Sequence, residues 1–527
     1  YDLLAVFLSV LSLGGIAFLN TWDFPFYLVL LATCLVYRRY QKNGWKIQRI
    51  FEFFTITIIG GLSSVALYLP FYLSFASQAG GILPSLAFFT PGTNFWVMFG
   101  PLLVPIMLYL VYSFVKKNAY KNAGLAIVLT LGLFVVLFSV SWGLAWIANG
   151  NPSNAFLLGL QGASNSRELL VESILKRLKA PGTAITLFLI FVFSLSLLLT
   201  RVKEKEINKP EAVGIESEKG KKSNIQIFVL FLVILGGLLL IAPEFIYLRD
   251  QFNWRMNTIF KFYFQAWILW SIASSYAVIT LFRKQKTNKR YNAVAIFLLV
   301  ALGILTFAIS LNERTEFTKS FGVLKADWLV LAIGVIFFIW IIWSIIKKQY
   351  PLVLAILSVV AILGGLVYPV LEIWNKTNGF QGQTTLTLDG KRVFWESYPD
   401  AMRAVEWLET ASVGVMAEAV AEQGGSYTTY NLISTFSGMP SVLGWVGHEY
   451  QWRGGGSEVG SRQQDLRELY TAKSEEKLNE VINRYNIRYI VLGDYEREVY
   501  RVMDPMFTQV YEPVFSSGKV IIHEVRP

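Results

Sequence analysis

The residues best suited to chemistry stand where an apolar run begins. In EFIYLRDQFNWRMNTIFKFYFQ, residues 244–265, Arg249, Asp250, Arg255 and Lys261 crowd its head. A helix starting near Asp250 would place Asp250, Trp254, Asn257, Lys261 and Gln265 on one face at three- and four-residue steps. Charge carried into a bilayer costs on the order of 2.5–3.5 kcal/mol per residue on insertion scales, so such residues face a bundle interior or a wet cavity. The competing reading is structural, with Asp250, Arg255 and Lys261 pairing to neighbouring helices.

A second cluster, GWVGHEYQWRGGG, gathers His448, Glu449, Trp452 and Arg453 around a glycine-rich bend. His448 beside Glu449 suits a base or a metal ligand, and Arg453 suits a phosphate or carboxylate. A role in bracing the domain has equal weight. The chain holds 2 histidines and 1 cysteine, Cys34, so no ligand spacing closes a metal site and no intrachain disulfide can form. EQGGSYTTYNLISTFSGMP adds Gly424, Gly425, Ser426, Tyr427 and Tyr430 in a turn, where Glu418 or Glu422 either touches a ligand or caps the turn. LGDYERE reads as a helix start with charges in its first turn. Walker loops, GxSxG elbows, HExxH and dinucleotide glycine patterns are all absent from the sequence.

The elements that must position these residues are mostly membrane helices. With 54% hydrophobic and 16% charged residues and a mean hydropathy of +0.47, the chain is too apolar for a soluble protein. Apolar runs of bilayer length give about eleven expected spans. Basic loops such as RRYQKNGWKIQR, KKNAYKN, RKQKTNKR and KKQ alternate onto one side, cytoplasmic by the positive-inside rule. The net charge of +11 lies in these short clusters, which argues against nucleic acid as a partner. Residues 1–374 therefore read as a transmembrane domain, with 201–224, rich in Lys, Glu, Gly and Ser, as a flexible cytoplasmic linker. The opposite side receives NTWD, with Trp22 and Asp23, the head of the charged stretch and everything after the last span.

From residue 375 to 527 the pattern becomes that of an α/β domain, placed by topology outside the cytoplasm. PDAMRAVEWLET and RQQDLRELYTAKSEEKLNEVINRYN read as helices, and VGVMAEAV, SVLGW, RYIVLG and GKVIIHEV as strands. The expected location is the cytoplasmic (plasma) membrane. The chain opens at Tyr1 on an apolar run with no basic leader, so upstream sequence is expected.

The combination of FLNTWDFP, RDQFNWRMNTIFKFYFQ, GWVGHEYQWRGG, RQQDLRELY and YIVLGDYEREVY resembles the uncharacterised YYY membrane-protein family of Chloroflexi and archaea. That family looks like the GT-C superfamily of polytopic glycosyltransferases, which use a lipid-linked sugar at the outer membrane face. The resemblance implies a polyprenyl-phosphate sugar donor, a membrane lipid partner and an acceptor that is a glycan, lipid or protein. On this reading Asp23 or Asp250 is the base, and Arg249, Arg255 and Lys261 hold the donor phosphate. Trp22, Asn257, Gln265, His448, Glu449, Trp452 and Arg453 contact substrate. No cofactor is called for; a divalent cation is compatible with the chemistry but without ligand spacing. The tyrosine triplet that names the family does not occur here; GT-C enzymes usually carry a catalytic acidic residue in the first outer loop, and if the first helices lie upstream of Tyr1 that residue lies there too, leaving Asp23 as a second acidic candidate. Two other classes compete. One is a transporter or flippase for a lipid-linked or anionic solute, its polar stripe lining a pathway. The other is a non-catalytic envelope scaffold.

Overall fold

The computed structural model describes residues 3–73, 80–86, 88–149, 165–207, 218–249, 254–283, 339, 343, 346, 352–381, 387–422, 425–452, 456–502 and 506–525. Contacts divide the chain into a first unit that runs to Gly379 and a second that runs from Phe380 to Pro527.

The first unit is helical. Its elements are α1 (Leu3–Leu19), α2 (Phe24–Asn43), α3 (Gln48–Leu67), α4 (Gly92–Lys116), α5 (Ala123–Asn149), α6 (Ser166–Lys179), α7 (Gly182–Ile207), α8 (Glu218–Ile241), α9 (Met256–Arg283) and α10 (Leu352–Lys376), with a short ladder of β1 (Ile82–Pro84) and β2 (Ile246–Leu248). Among the described residues, 7 helices are long and apolar enough to cross a membrane. The expected count is higher for traceable reasons. α1 is only 17 residues long, the end of α2 carries YRRYQKN, and the runs at 291–311 and 326–346 lie wholly or largely outside the described residues. The stretch 201–224 is helical at both ends, α7 continuing to Ile207 and α8 starting at Glu218.

Helices α4, α7, α8 and α9 share one core of Phe95, Phe99, Phe191, Leu230, Val233 and Trp270. Trp270 donates its indole N–H to the Val233 carbonyl at 3.1 Å, so its polar atom is satisfied inside hydrocarbon. The first turns of α4 and α7 meet at Gly92 and Gly182, where a Cβ on Gly92 would fall 2.7 Å from the Gly182 Cα. Only paired glycines allow that approach, and it lets Thr183 donate to the Thr90 carbonyl at 2.6 Å. Gly92→Leu is expected to destabilise the helical unit by about 1–3 kcal/mol through overpacking. A lowered midpoint in detergent denaturation checks this.

The second unit is a small α/β sandwich. Its elements are α11 (Pro399–Thr410), β3 (Val415–Ala417), α12 (Leu432–Ser437), α13 (Val446–Trp452), α14 (Ser457–Tyr470), α15 (Glu475–Tyr485), β4 (Ile487–Leu492), α16 (Asp494–Tyr500), β5 (Pro513–Ser517) and β6 (Val520–Glu524). The sheet order is β3-β4-β6-β5, with β3 and β4 parallel and the remaining pairs antiparallel. Alternation along β4 sends Ile490 and Leu492 toward Leu466, Leu469 and Leu478 of α14 and α15, and Tyr489 and Val491 toward Met402, Val405 and Leu408 of α11.

Helix α11 and strands β3, β4 and β6 fall where the sequence pattern places them. SVLGW does not form a strand: Ser441 makes only an isolated bridge to Met416, because Pro440 precedes it and Gly444 and the α13 helix follow. The helical stretch beginning at Arg462 is two helices, broken before Ser474, whose hydroxyl caps α15. Strand β5 is not anticipated, since PVFSS lacks a long apolar pattern and gains its place by pairing with β6 across the Gly518–Lys519 turn.

Candidate functional site

Asp23 stands in the turn between α1 and α2, with Pro25 fixing the start of α2. Asn20 shapes the turn from both ends of its amide: Nδ2 donates to Asp23 Oδ2 at 3.0 Å and Oδ1 accepts the Trp22 N–H at 3.3 Å. The other carboxylate oxygen, Oδ1, is buried with no hydrogen-bond partner. Packing of Phe26 edge-on to Phe262, 4.9 Å between centroids, brings α2 against α9. That contact sets Asp23 beside the Gln265 amide and within electrostatic range of Lys261, while Tyr27 donates its hydroxyl to Gln265 Oε1 at 2.5 Å. A carboxylate, a cation, an amide and a phenol separated by some 238 residues in sequence thus share one locus.

The polar stripe is shorter than the sequence spacing implies. Helix α9 begins at Met256, so Trp254 precedes it and is 48% exposed, whereas Gln265 is 3% exposed. Asn257, Lys261 and Gln265 remain at four-residue steps on one face. Asp250 lies outside the described residues.

Arg255 is committed elsewhere. Its guanidinium is buried and donates to Glu244 Oε1 at 2.9 Å, to the Pro243 carbonyl at 3.1 Å and to Thr90 Oγ1 at 3.3 Å. Glu244 also accepts the Thr90 N–H at 2.8 Å and its hydroxyl at 2.7 Å, and Tyr263 OH lies 3.0 Å from the same Oγ1. Arg177 of α6 completes the clamp by donating to the backbone carbonyls of Leu86 and Glu244. The ladder of β1 on β2 holds this corner, and its exchange of N–H···O bonds continues from Arg249 to Gly80 and Gly81 at 2.8 Å. Arg255 is therefore neutralised by Glu244, and its charge is not free for a phosphate.

Sequence reasoning missed Thr90, Arg177, Glu244 and Tyr263 as partners. The available signal was Glu244 itself, an acid directly after an apolar run. Beside the clamp lies a cavity of about 330 Å³, mostly apolar, with Phe134, Phe138, Leu187 and Phe245 in its wall and with Thr90, Ser139, Arg177, Thr183 and Glu244 as its polar lining.

In the second unit, His448 sits in α13 and meets Tyr427 edge-to-face at 4.7 Å and Trp445 at 5.5 Å. The structure thus joins the two glycine-rich stretches that the sequence offers separately. Glu449 folds back toward Gly444, a Cβ there falling 3.0 Å from Glu449 Oε1. Trp452 closes α13, its side chain and Arg453 lying outside the described residues. Glu418 and Glu422 part company: Glu418 caps α12 through the Ile433 and Ser434 N–H groups at 3.0 and 3.1 Å, while Glu422 pairs with Arg467. Glu496 is likewise a cap, accepting the Gly493 N–H at 2.7 Å. Among the described residues no group of His, Cys, Asp and Glu is placed to hold a metal ion.

A bundle of apolar helices with polar side chains gathered on α2 and α9, followed by a compact α/β unit, defines an integral membrane protein. The chain belongs to the family of uncharacterized membrane proteins designated DUF2298, which it matches over residues 2–270. That is about half of its length and agrees with the uncharacterised membrane family its motifs resemble. No curated protein and no solved structure matches it.

Proposed function

We propose that the chain is a membrane glycosyltransferase of the GT-C type, moving a sugar from a polyprenyl-phosphate donor to an acceptor hydroxyl at the outer membrane face. The observation that carries this reading is Asp23, whose Oδ1 is buried without a partner in hydrogen-bonding geometry, near Gln265 and within electrostatic range of Lys261. A positioned carboxylate with an open lone pair is a general base in waiting. As the acceptor oxygen attacks the anomeric carbon, its proton passes to Asp23 and the bond from that carbon to the phosphate oxygen breaks. The electron pair leaves on the phosphate, whose developing charge Lys261 and Arg249 offset. Gln265, held by Tyr27, and Asn257 orient sugar hydroxyls, with Trp22 packing alongside. Arg255 serves by fixing the corner that carries Arg249. The mostly apolar cavity beside the clamp supports a lipid-borne substrate, since it offers room for part of a hydrocarbon chain.

The test is purified full-length chain in proteoliposomes given radiolabelled polyprenyl-phosphate hexose. Label is expected to reach an acceptor or water, and Asp23→Asn to slow that step by about 10²–10⁴-fold, the usual worth of a general base. Equal rates in Asp23→Asn and the native chain would overturn the assignment of Asp23. Solute flux without any sugar transfer would replace the transferase by the transporter.

A further inference from the structure

The second unit has its own unassigned crevice, set by topology. From the carboxyl end of β3 the chain passes through α12 and returns to Ser441, which bridges Met416 in parallel; it then crosses through α13, α14 and α15 to pair β4 with β3. Met416 directs both its N–H and its carbonyl to the Ser441 side, bonding Pro440 O at 2.8 Å and Val442 N at 3.0 Å, so β4 lies on the opposite edge. The strand order therefore reverses at β3. Open α/β sheets take ligands outside the carboxyl ends of their strands at such a reversal.

At that place is a pocket of about 170 Å³, walled by Val420 and Val499 and lined by Glu422, Gln464, Arg467 and Tyr500. Tyr500 is 6% exposed, and its hydroxyl is buried beside the Val420 backbone with no partner in hydrogen-bonding geometry. The ring is fixed by stacking on Tyr470 at 4.8 Å and 9° and by the Arg467 guanidinium 5.9 Å from its centroid. An ordered phenol whose polar atom is left unpaired inside a protein is costly unless something completes it. Burial pushes this phenol up to about 12, so it stays protonated at neutral pH and can both donate and accept.

A set of aromatic residues begins at Tyr430, which lies within electrostatic reach of Glu422 on the pocket wall. Tyr430 packs on Tyr495 at 4.6 Å, and Trp445 donates to the Tyr430 carbonyl at 2.8 Å. Beyond Trp445 stands Tyr427, 82% exposed and held with a φ of +57°. A left-handed conformation is unfavourable for an aromatic residue and persists where surrounding contacts impose it. Here the Trp445 and His448 rings fix the Tyr427 ring, which keeps its outer face open. In the same stretch of chain Thr428 Oγ1 and Asn431 Oδ1 are also buried without partners.

The chemistry selects among ligands. Glu422 and Arg467 neutralise each other, so the pocket has donors and acceptors but no net charge, and the carboxylate repels an anion entering beside it. Aromatic faces together with mixed hydrogen-bonding groups match a ligand that carries hydroxyls on its edges and C–H groups on its faces. We infer that the pocket at Tyr500 and the aromatic residues out to Tyr427 form a carbohydrate-binding site that takes neutral hexose units of a glycan, one in the pocket and the next against the aromatic rings. Binding here does not depend on the transferase reading, because it is an equilibrium property of the second unit.

The experiment uses the full chain in nanodiscs and fluorescently labelled maltohexaose, cellohexaose, mannohexaose and a β-1,3-linked glucohexaose as probes. At least one is expected to bind saturably. Tyr500→Phe, which removes only the unpaired hydroxyl, and Tyr427→Ala, which removes only an exposed ring, are each expected to weaken that binding about tenfold, roughly the worth of one hydrogen bond or aromatic contact. Lys519→Ala, on the β5–β6 turn, is expected to leave it unchanged. Absence of binding by all four hexamers, undiminished binding in both variants, or displacement of the glycan by inorganic phosphate overturns the proposal. Turnover of the lipid-phosphate sugar is measured in the same preparations. Lost glycan binding with intact donor turnover, or the reverse, shows which of the two readings has failed.

Discussion

Glu244→Gln is expected to destabilise the helical unit by about 3–5 kcal/mol, the cost of leaving a buried charge without its partner. Glu244 is 7% exposed and Arg255 8% exposed, and the carboxylate is the only ionised group among the described residues to pair with that guanidinium. Glutamine preserves the shape but has one acceptor oxygen where Glu244 has two, so the loss reports the charge together with an amide N–H set against a donor, and not the volume. The reverse change, Arg255→Met, leaves the carboxylate with Arg177 as its remaining nearby cation and is expected to cost less. The double variant Glu244→Gln/Arg255→Met removes both charges and is expected to recover much of the loss, because a buried ion pair replaced whole by neutral groups is often near neutral. Detergent-solubilised protein titrated with SDS provides the midpoints. Additive losses in the double variant would show that the two side chains act independently, against the geometry of the clamp.

The charged stretch at the head of α9 shows what sequence can and cannot carry. Spacing alone put Lys261 and Gln265 on one face, since four-residue steps on a helix are geometry. Asp23 entered only through the family resemblance, as a second acidic candidate near the outer face. What spacing could not supply was the register of α2 on α9, which depends on Phe26 meeting Phe262 and decides that Asp23 reaches Gln265. Arg255 was legible as an anomaly and not as a partner of Glu244, because the two are joined by the β1–β2 corner, a ladder of only 3 residues per strand with no periodic signature. In the second unit β4 was plain from its continuous apolar run, while the convergence of Tyr427 on His448 was not. That contact depends on a left-handed turn at Tyr427 that no local propensity favours.

Glu418 gives the second unit an expected dependence on pH that runs against the usual direction for a carboxylate. The group is fully buried, and burial first, then the neighbouring Glu496, raises it to about 7, although the Ile433 and Ser434 N–H groups pull the other way. Glu496 is raised by burial too. A carboxyl raised on folding binds its proton more tightly in the native state, so its contribution is fully present below the unfolded value of 4.5 and is lost as pH climbs through 7. The loss amounts to something on the order of 3 kcal/mol across that window, at about 1.4 kcal/mol per unit. His523 works in the opposite sense: burial lowers it, so its penalty appears as pH falls below the ordinary histidine value. The two are separable by mutation. The full chain is expected to unfold its second unit at a higher temperature at pH 6 than at pH 8, read from the tryptophan fluorescence of that transition. Glu418→Gln is expected to remove most of the difference, whatever it does to the absolute midpoint by setting an amide N–H against a backbone N–H. The same slope in Glu418→Gln and the native chain would mean that Glu418 is already ionised when folded. Its two bonds to the start of α12 would then outweigh both its burial and the charge of Glu496.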